Sequence, residues 1–183
     1  MKRIYRFTIL IAICAVLFPS AAEASPESQF RGDNRDGIYE ETGLQKQWPE
    51  KGPLLAWSTE GIGAGFSSVA VTDSTLYATG TRDSMDYLTA MSVEGRILWQ
   101  VPFGRSWDTH RPGARATPTV EDGKVYVVSG RGVIARVDGV SGKLDWSRDA
   151  FGDFEGRQGN WGTSESLLLV GDKLIYTPCG DRT

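Results

Sequence analysis

Short apolar segments recur along the chain, and each is followed by a polar turn and a second apolar segment that carries a tyrosine. Residues 67–80, 117–130 and 164–180 share this order, and each segment closes on a glycine. The closing glycines are 50 positions apart each time: Gly80, Gly130 and Gly180. A fixed period of this length indicates a repeat architecture.

A second motif lies between successive copies of the first. Residues 88–103 and 134–151 each contain a short strand, a turn with a glycine and a strand with a tryptophan, Trp99 or Trp146. Small and polar residues at the turn allow a tight reversal between paired strands. Each period therefore predicts four antiparallel strands, A to D, which in the second period cover residues 117–120, 124–129, 134–138 and 143–147.

Four antiparallel strands in each period of about 50 residues are typical of a β-propeller blade, so the predicted fold class is all-β. Strand B is apolar on both faces, as expected for a sheet that is covered on both sides. The tryptophan of each strand D is predicted to fill the space between neighbouring blades. A β-sandwich also uses short strands, but it gives no reason for the fixed spacing.

The periods predict about two and a half blades, at residues 66–102, 116–150 and, incompletely, 163–183. Residues 54–59 contain Trp57 and have the pattern of a strand D without strands A to C before it. We interpret them as an N-terminal closing strand that completes the last blade, with partners from the C-terminal end. Because a closed ring needs about four to eight blades, the sequence is expected to be the N-terminal part of a longer protein.

The N-terminal residues 1–24 have the pattern of a secretory signal peptide. A basic start precedes an apolar run at residues 7–18, and small residues precede a predicted cleavage site between Ala24 and Ser25. The run is too short to span a bilayer, so no transmembrane segment is expected after cleavage. The chain is predicted to be exported, to the periplasm or outside the cell. Cys179 is then the remaining cysteine, interpreted as a small buried residue or as one with a pairing partner beyond the C-terminus.

Residues 25–53 are interpreted as a polar N-terminal strap. The stretch 31–37 contains an Arg-Gly-Asp tripeptide, and adhesion is the alternative to a strap with turns at Gly32 and Gly37. The net charge of −3 argues against nucleic acid as a partner, since such binding depends on a basic surface.

The stretches "FRGDNRDGIYEETGL", "WPEKGPLLAWSTEGIGAGFSS", "PTVEDGKVYVVSG" and "VDGVSGKLDW" resemble the pyrroloquinoline-quinone-like propeller repeat proteins. That family includes quinoprotein alcohol dehydrogenases and the propeller lipoprotein of the bacterial outer-membrane assembly machinery. The resemblance covers about residues 29–183 and implies a propeller fold and an exported location.

The resemblance leaves two functions open. The first is a binding or scaffold module, and the alternative is the N-terminal part of a quinone-dependent oxidoreductase. The dehydrogenases of the family use a quinone, a calcium ion, a catalytic Asp and often adjacent cysteines. None of these groups can be matched to a residue of this sequence, so we expect the quinone and calcium only with a missing C-terminal part. The chain is not expected to be an enzyme on its own.

The connections from strand D to strand A and the turns from B to C emerge on one rim of a propeller, and function usually resides in such loops. The candidate ligand-binding residues lie in these connections: Arg105, Trp107, Asp108, His110, Arg111, Arg157, Asn160 and Trp161. Two aromatic side chains and several guanidinium groups suit a planar, anionic or sugar-like ligand, and a protein partner is equally open. In the structural alternative, Trp107 and Trp161 cap the blades and the arginines pair with Asp108, Asp153 and Glu155. No metal site is predicted, because zinc needs three or four ligands and the chain has a single histidine.

Overall fold

The structure is a computed structural model that describes residues 28–39 and 42–180. The predicted signal peptide and its predicted cleavage site between Ala24 and Ser25 lie outside the described residues. The first sheet contains β1 (Ala70–Val71), β2 (Thr75–Arg82), β3 (Met85–Ser92) and β4 (Ile97–Arg105). The second contains β5 (Thr119–Glu121), β6 (Lys124–Val128), β7 (Val133–Asp138) and β8 (Leu144–Asp149). The third contains β9 (Leu168–Val170) and β10 (Lys173–Ile175).

The strands in each sheet are antiparallel and follow chain order, as the repeat predicts. In the second sheet their bounds differ from the predicted ones by at most two residues at either end. The turn between β2 and β3 consists of Asp83 and Ser84, which both have positive φ, 47° and 63°. Turns with two such residues match the right-handed twist of paired strands. The predicted all-β architecture of four-stranded propeller blades is confirmed.

The all-β prediction does not include the one short helix among the described residues. This helix, α1 (Ala150–Asp153), is a single turn directly after β8. The Asp149 side chain caps it, because its carboxylate accepts hydrogen bonds from the Phe151 and Gly152 amides. Among the described residues, no helix is long and apolar enough to cross a membrane.

The repeated glycines at the end of the second apolar segment have a steric cause. A Cβ atom at each of them would overlap the backbone of the incoming connection from the preceding blade. Each glycine lies against the backbone of one residue of that connection: Gly80 against Ile62, Gly130 against Trp107 and Gly180 against Glu155. The 50-residue period of the glycines therefore follows from one repeated crossing of two backbone segments.

Neighbouring sheets stack face to face around two apolar clusters. Between the first and second sheets, Leu88, Val125 and Val137 are completely buried. A second cluster lies between the second and third sheets: Ala116, Val128, Ile134, Ala150 and Leu167. Burial of these side chains removes apolar surface from water, which is the main stabilising contribution to such stacked sheets.

Hydroxyl groups connect the beginnings of the first strands of the three sheets. The Ser68 amide donates to Thr117 Oγ1 at 3.1 Å, and the Thr117 amide donates to Ser166 Oγ at 3.0 Å. Both bonds join residues 49 positions apart, so the third sheet follows the same repeat as the other two.

The predicted closing strand at residues 54–59 pairs with no strand in the described part of the chain, and its pairing with partners from the C-terminal end stays a prediction. Leu54 and Leu55 in it are 96% and 81% exposed. A strand needs a neighbour for its backbone N–H and C=O groups, and none of the described sheets supplies one to this segment.

Trp57 nevertheless has the position expected for the tryptophan of a strand D. Its ring lies against Gly95 in the turn between β3 and β4, and its Nε1 donates to the Val93 carbonyl at 2.9 Å. Trp99 has the same relation to the second sheet, with its ring against Gly142 and its Nε1 donating to the Gly139 carbonyl at 3.2 Å. Each of these tryptophans therefore packs on the glycine turn of the next blade.

The N-terminal segment 28–37 contacts β1, β5 and the two residues directly before β9. Ser28 exchanges backbone hydrogen bonds with Val120, and its hydroxyl accepts a bond from the Val71 amide at 2.7 Å. The Arg35 guanidinium donates to the carbonyls of Ser166 and Leu167. These contacts hold the segment across the sheets.

Two smaller expectations have different outcomes. Gly32 and Gly37 have φ of +79° and +78°, as turns at these positions require. Cys179 is exposed, so its interpretation as a buried residue is wrong. It lies after β10 and has a positive φ of 54°.

Candidate functional site

A cleft opens on the rim formed by the connections 106–118 and 150–167 and by the turn between β6 and β7. Its volume is about 630 Å³. We call it the rim cleft, and it is lined by Trp107, Thr109, His110, Arg131, Gln158, Gly159, Asn160 and Trp161. Because antiparallel sheets place these connections at one end, residues from two blades meet there.

Trp107 is buried, with 6% of its surface exposed. One face of its ring is packed so closely against Gly162 that a Cβ at that glycine would lie 2.7 Å from Trp107 Cγ. The Arg131 guanidinium lies 5.4 Å from the ring centroid, and the indole Nε1 donates to the His110 carbonyl at 3.0 Å. Trp107 thus has the capping position of the structural alternative, and it fixes the two connections relative to each other.

Trp161 differs sharply from Trp107, since 68% of it is exposed. Its ring is tilted by 47° against the His110 imidazole, with 5.9 Å between the ring centroids. The indole therefore presents an open aromatic face at the edge of the rim cleft.

Arg131 lies at the centre of the rim and was not among the predicted residues. Its NH2 group forms an ion pair with Asp108 Oδ1 at 2.5 Å, and its NH1 donates to Gln158 Oε1 at 3.2 Å. Gln158 in turn donates through Nε2 to the Gly130 carbonyl at 3.2 Å. This network holds the guanidinium rigidly between two blades.

The Arg131 contact has an electrostatic consequence for its partner. The hydrogen bond from Arg131 lowers the pKa of the Asp108 carboxyl group, and the nearby charge of Arg105 lowers it further. Asp108 therefore stays ionised, and the positive charge of Arg131 is balanced. Asp108 thus pairs with an arginine, as predicted, but its partner is Arg131, which was not among the predicted site residues.

Arg131 could have been found from the repeat. It lies in the turn between β6 and β7, which corresponds to the Asp83–Ser84 turn of the first sheet and emerges on the same rim. Sequence periodicity gives the rim position of this turn, but it does not show that the side chain points back over Trp107.

A second cleft of about 520 Å³ adjoins the first. It is lined by Asp83, Ser84, Met85, Arg105, Ser106, Asp108 and Arg131, so the two clefts share Arg131. The Ser106 hydroxyl is buried and has no hydrogen-bond partner in the described part of the chain. The Ser106 backbone is held in place, because its amide donates to the Ser84 carbonyl at 3.1 Å.

The structure divides the eight predicted site residues into three groups. Four line the rim cleft, namely Trp107, His110, Asn160 and Trp161. Arg105, the last residue of β4, and Asp108 line the adjoining cleft. Arg111 and Arg157 line neither of the two.

The two remaining arginines are placed by their backbones. Arg111 has a positive φ of 52°, and its carbonyl accepts a bond from the Arg115 guanidinium. The Arg157 amide donates to the carbonyls of Pro178 and Cys179 at 2.9 and 3.1 Å, which ties this connection to the segment after β10.

A third cleft of about 580 Å³ lies between α1 and β10. It is lined by Asp153, Phe154, Glu155, Leu174, Tyr176, Thr177 and Pro178. It runs along the edge of β10 that pairs with no strand among the described residues, so it belongs to the third sheet's edge and not to the rim cleft.

The described residues do not fit a calcium–quinone centre. Within ranges 28–39 and 42–180, no group of three or more His, Cys, Asp or Glu side chains could hold a metal ion. Trp107 is the buried tryptophan of the rim. Because its ring is packed against Gly162 and Arg131, it cannot stack on a planar cofactor.

Among solved structures, the quinohemoprotein alcohol dehydrogenase of Comamonas testosteroni is 20% identical, with a TM-score of 0.49 over 66% of this chain and 18% of that chain. A europium-containing methanol dehydrogenase is 18% identical, with a TM-score of 0.48 over 66% of this chain and 22% of that one. BamB from Moraxella catarrhalis is 18% identical, with a TM-score of 0.44 over 68% of this chain and 34% of that one.

The chain therefore spans 18% to 34% of the length of these three structures. A search of curated proteins found no match. The model of one protein family, described as outer membrane protein assembly factor BamB, matches residues 39–180. Since this match covers most of the chain, including every described strand, the chain belongs to that propeller family.

Proposed function

We propose that the chain is an exported propeller module that binds a ligand or partner at the rim cleft and acts by binding, not by catalysis. The observation that carries the proposal is the exposed face of Trp161 in a cleft whose remaining wall is rigid. Aromatic and arginine side chains on a fixed frame are the groups that most often dominate binding energy.

Preorganisation supports this role. The Arg131 guanidinium is held by Asp108 and Gln158, and Trp107 locks the connection beneath it. A ligand would meet groups that are already in place, so little ordering entropy would oppose binding. Such loops on a rigid scaffold are the usual location of binding sites.

Export is supported by two independent features. Residues 1–24 have the basic, apolar and small-residue order of a signal peptide. The family description names an assembly factor of the outer membrane. An exported scaffold with a binding rim agrees with both.

The alternative function, the N-terminal part of a quinone-dependent oxidoreductase, has no comparable support at this rim. The described residues fit neither the metal ion nor a sandwiched quinone, so we derive no catalytic step. Binding is the function that the geometry favours.

Two measurements test the proposal. Cell fractionation with N-terminal sequencing should find the chain outside the cytoplasm and beginning at Ser25. A thermal-shift screen of the full chain against mixed sugars, peptides and dicarboxylates should find a ligand that raises Tm, since a ligand that binds only the folded state stabilises it.

The variants decide where such a ligand binds. The stabilisation should vanish in Trp161→Ala and persist in Trp48→Ala, which removes a tryptophan of similar exposure, 64%, from the N-terminal segment. Equal stabilisation of both variants would place the ligand elsewhere, and a chain that stays in the cytoplasm with residues 1–24 intact would contradict export.

A further inference from the structure

We propose that the rim cleft binds a saccharide, with one face of a sugar ring stacked on Trp161. This inference rests on the proposed binding function and adds the chemical class of the ligand. It follows from three properties of the cleft: a single open aromatic face, a ring of uncharged hydrogen-bonding side chains and a balanced guanidinium.

The first property is the single aromatic face. Trp107 is 6% exposed and covered by Gly162 and Arg131, whereas Trp161 is 68% exposed. One open indole suits a ligand with one apolar face and polar edges. A pyranose ring has this form, because its C–H groups point to one face and meet the negative face of an aromatic ring, while its hydroxyls point outwards.

The second property is the polar wall. Thr109 and Asn160 line the cleft, and their side chains make no hydrogen bond within the described residues. The Gln158 amide lines it too. Hydroxyl and amide groups both donate and accept, so they match sugar hydroxyls, which do the same.

The third property is the charge of the cleft. The guanidinium of Arg131 is balanced by Asp108 at 2.5 Å, so the cleft does not require an anion. Arg131 also keeps N–H groups beyond those used by Asp108 and Gln158, since a guanidinium has five. It can therefore donate to a neutral hydroxyl while its charge stays paired with Asp108.

Other occupants fit less well. A planar cofactor needs aromatic or apolar contact on both faces, and the rim cleft offers one such face. An apolar peptide needs apolar pockets, and an extended peptide that adds a strand needs a free sheet edge. The walls of the rim cleft come from connections and a turn. Besides the two indoles and the His110 imidazole, their groups are two amides, one hydroxyl and a guanidinium.

The test is a titration of the full chain with four neutral pentasaccharides: maltopentaose, cellopentaose, chitopentaose and mannopentaose. Calorimetry measures the affinity, and tryptophan emission of the unchanged chain reports the contact. We expect at least one sugar to bind and to shift the emission to shorter wavelength, because an exposed indole becomes covered.

Variants assign the binding to the cleft. Trp161→Ala should weaken the affinity by about tenfold or more, and Trp161→Phe should restore most of it because an aromatic face remains. Asn160→Ala should weaken it by about threefold to tenfold through loss of a hydrogen bond. Trp48→Ala, the exposure-matched control, should bind as the unchanged chain does.

A parallel panel of extended decapeptides separates the two proposals. If all four sugars fail while peptides bind with dependence on Trp161, the saccharide assignment is overturned and the binding function stands. If sugars bind equally to the Trp161→Ala variant, the assignment of the cleft is overturned. If no sugar or peptide depends on Trp161, both proposals fall.

Discussion

Replacing Gly130 with alanine perturbs the crossing that repeats every 50 residues. A Cβ at this glycine would overlap the Trp107 amide nitrogen and lie 2.7 Å from Trp107 Cβ. Carbon atoms in ordinary contact lie about 3.5 to 4.0 Å apart, so one backbone segment must move by about 1 Å. Trp107 cannot yield easily, because its other side is packed on Gly162.

The expected cost follows from this overlap. Overpacking by one methyl group in a rigid site costs about 1 to 3 kcal/mol, and alanine recovers part of this by restricting the unfolded chain. We expect a net loss of about 2 kcal/mol, which lowers the Tm of a chain of this size by about 4 to 8 °C. Urea unfolding and differential scanning calorimetry measure both values.

Gly159→Ala is the matched control. A Cβ there meets nothing within 4 Å. Its φ lies outside the left-handed region, so alanine should leave the free energy of unfolding unchanged or raise it by up to about 1 kcal/mol. If Gly130→Ala proved as stable as the Gly159→Ala variant, the steric explanation of the repeated glycine would be refuted.

Three further substitutions test the packing between blades and its charges. The buried Asp86 carboxylate accepts from the Gly130 amide at 2.7 Å and from the Thr81 hydroxyl, so Asp86→Asn should cost about 1 kcal/mol in urea unfolding, because a neutral amide oxygen is a weaker acceptor than a carboxylate. Trp99→Ala should cost about 2 to 4 kcal/mol, measured in the same way, since the indole fills the space against the second sheet. Bonds from Ser141 hold the pKa of Asp138 well below its usual range. The stability that the ionised Asp138 contributes is present above the unfolded-state pKa of about 3.9 and is lost as pH falls through the lower folded-state pKa. Asp138→Asn lacks this contribution at every pH. Its urea midpoint should therefore fall less between pH 6 and pH 2 than that of the unchanged chain.

The repeat itself could be predicted from the sequence because its causes are local. The closing glycines mark a backbone crossing in every period, and the tryptophan of strand D meets a glycine turn in the next period. Both depend on residue size at fixed spacing, which periodicity reveals. The strand bounds of the second blade follow for the same reason.

The candidate site was less predictable because it depends on side-chain direction across blades. Trp107 and Trp161 look alike in the sequence, yet one is buried and the other exposed, since only Trp107 finds a glycine, Gly162, on which to pack. Arg131 was missed because its role arises from contacts with Asp108 and Gln158, 23 and 27 positions away.

The closing segment at residues 54–59 shows a third limit. Its pattern predicts a strand, and its tryptophan takes the expected place on the first sheet. Its backbone has no neighbouring strand among the described residues, so the pairing of this segment stays a prediction, because a pattern alone cannot supply the neighbour that pairing requires. The Trp57 side chain therefore packs on the first sheet without any strand pairing of the backbone at residues 54–59 within the described part of the chain.

The central claim is that the rim, and not the opposite end of the sheets, is the binding face of a chain that we propose to be exported. Photo-cross-linking in intact cells tests it most directly, with a photoreactive phenylalanine derivative, which keeps an aromatic face, at position 161 on the rim or at position 140 in the turn between β7 and β8. Val140 is 87% exposed, so its accessibility matches or exceeds that of Trp161. The account predicts specific adducts from position 161 and none from position 140. Adducts from position 140 alone would contradict it.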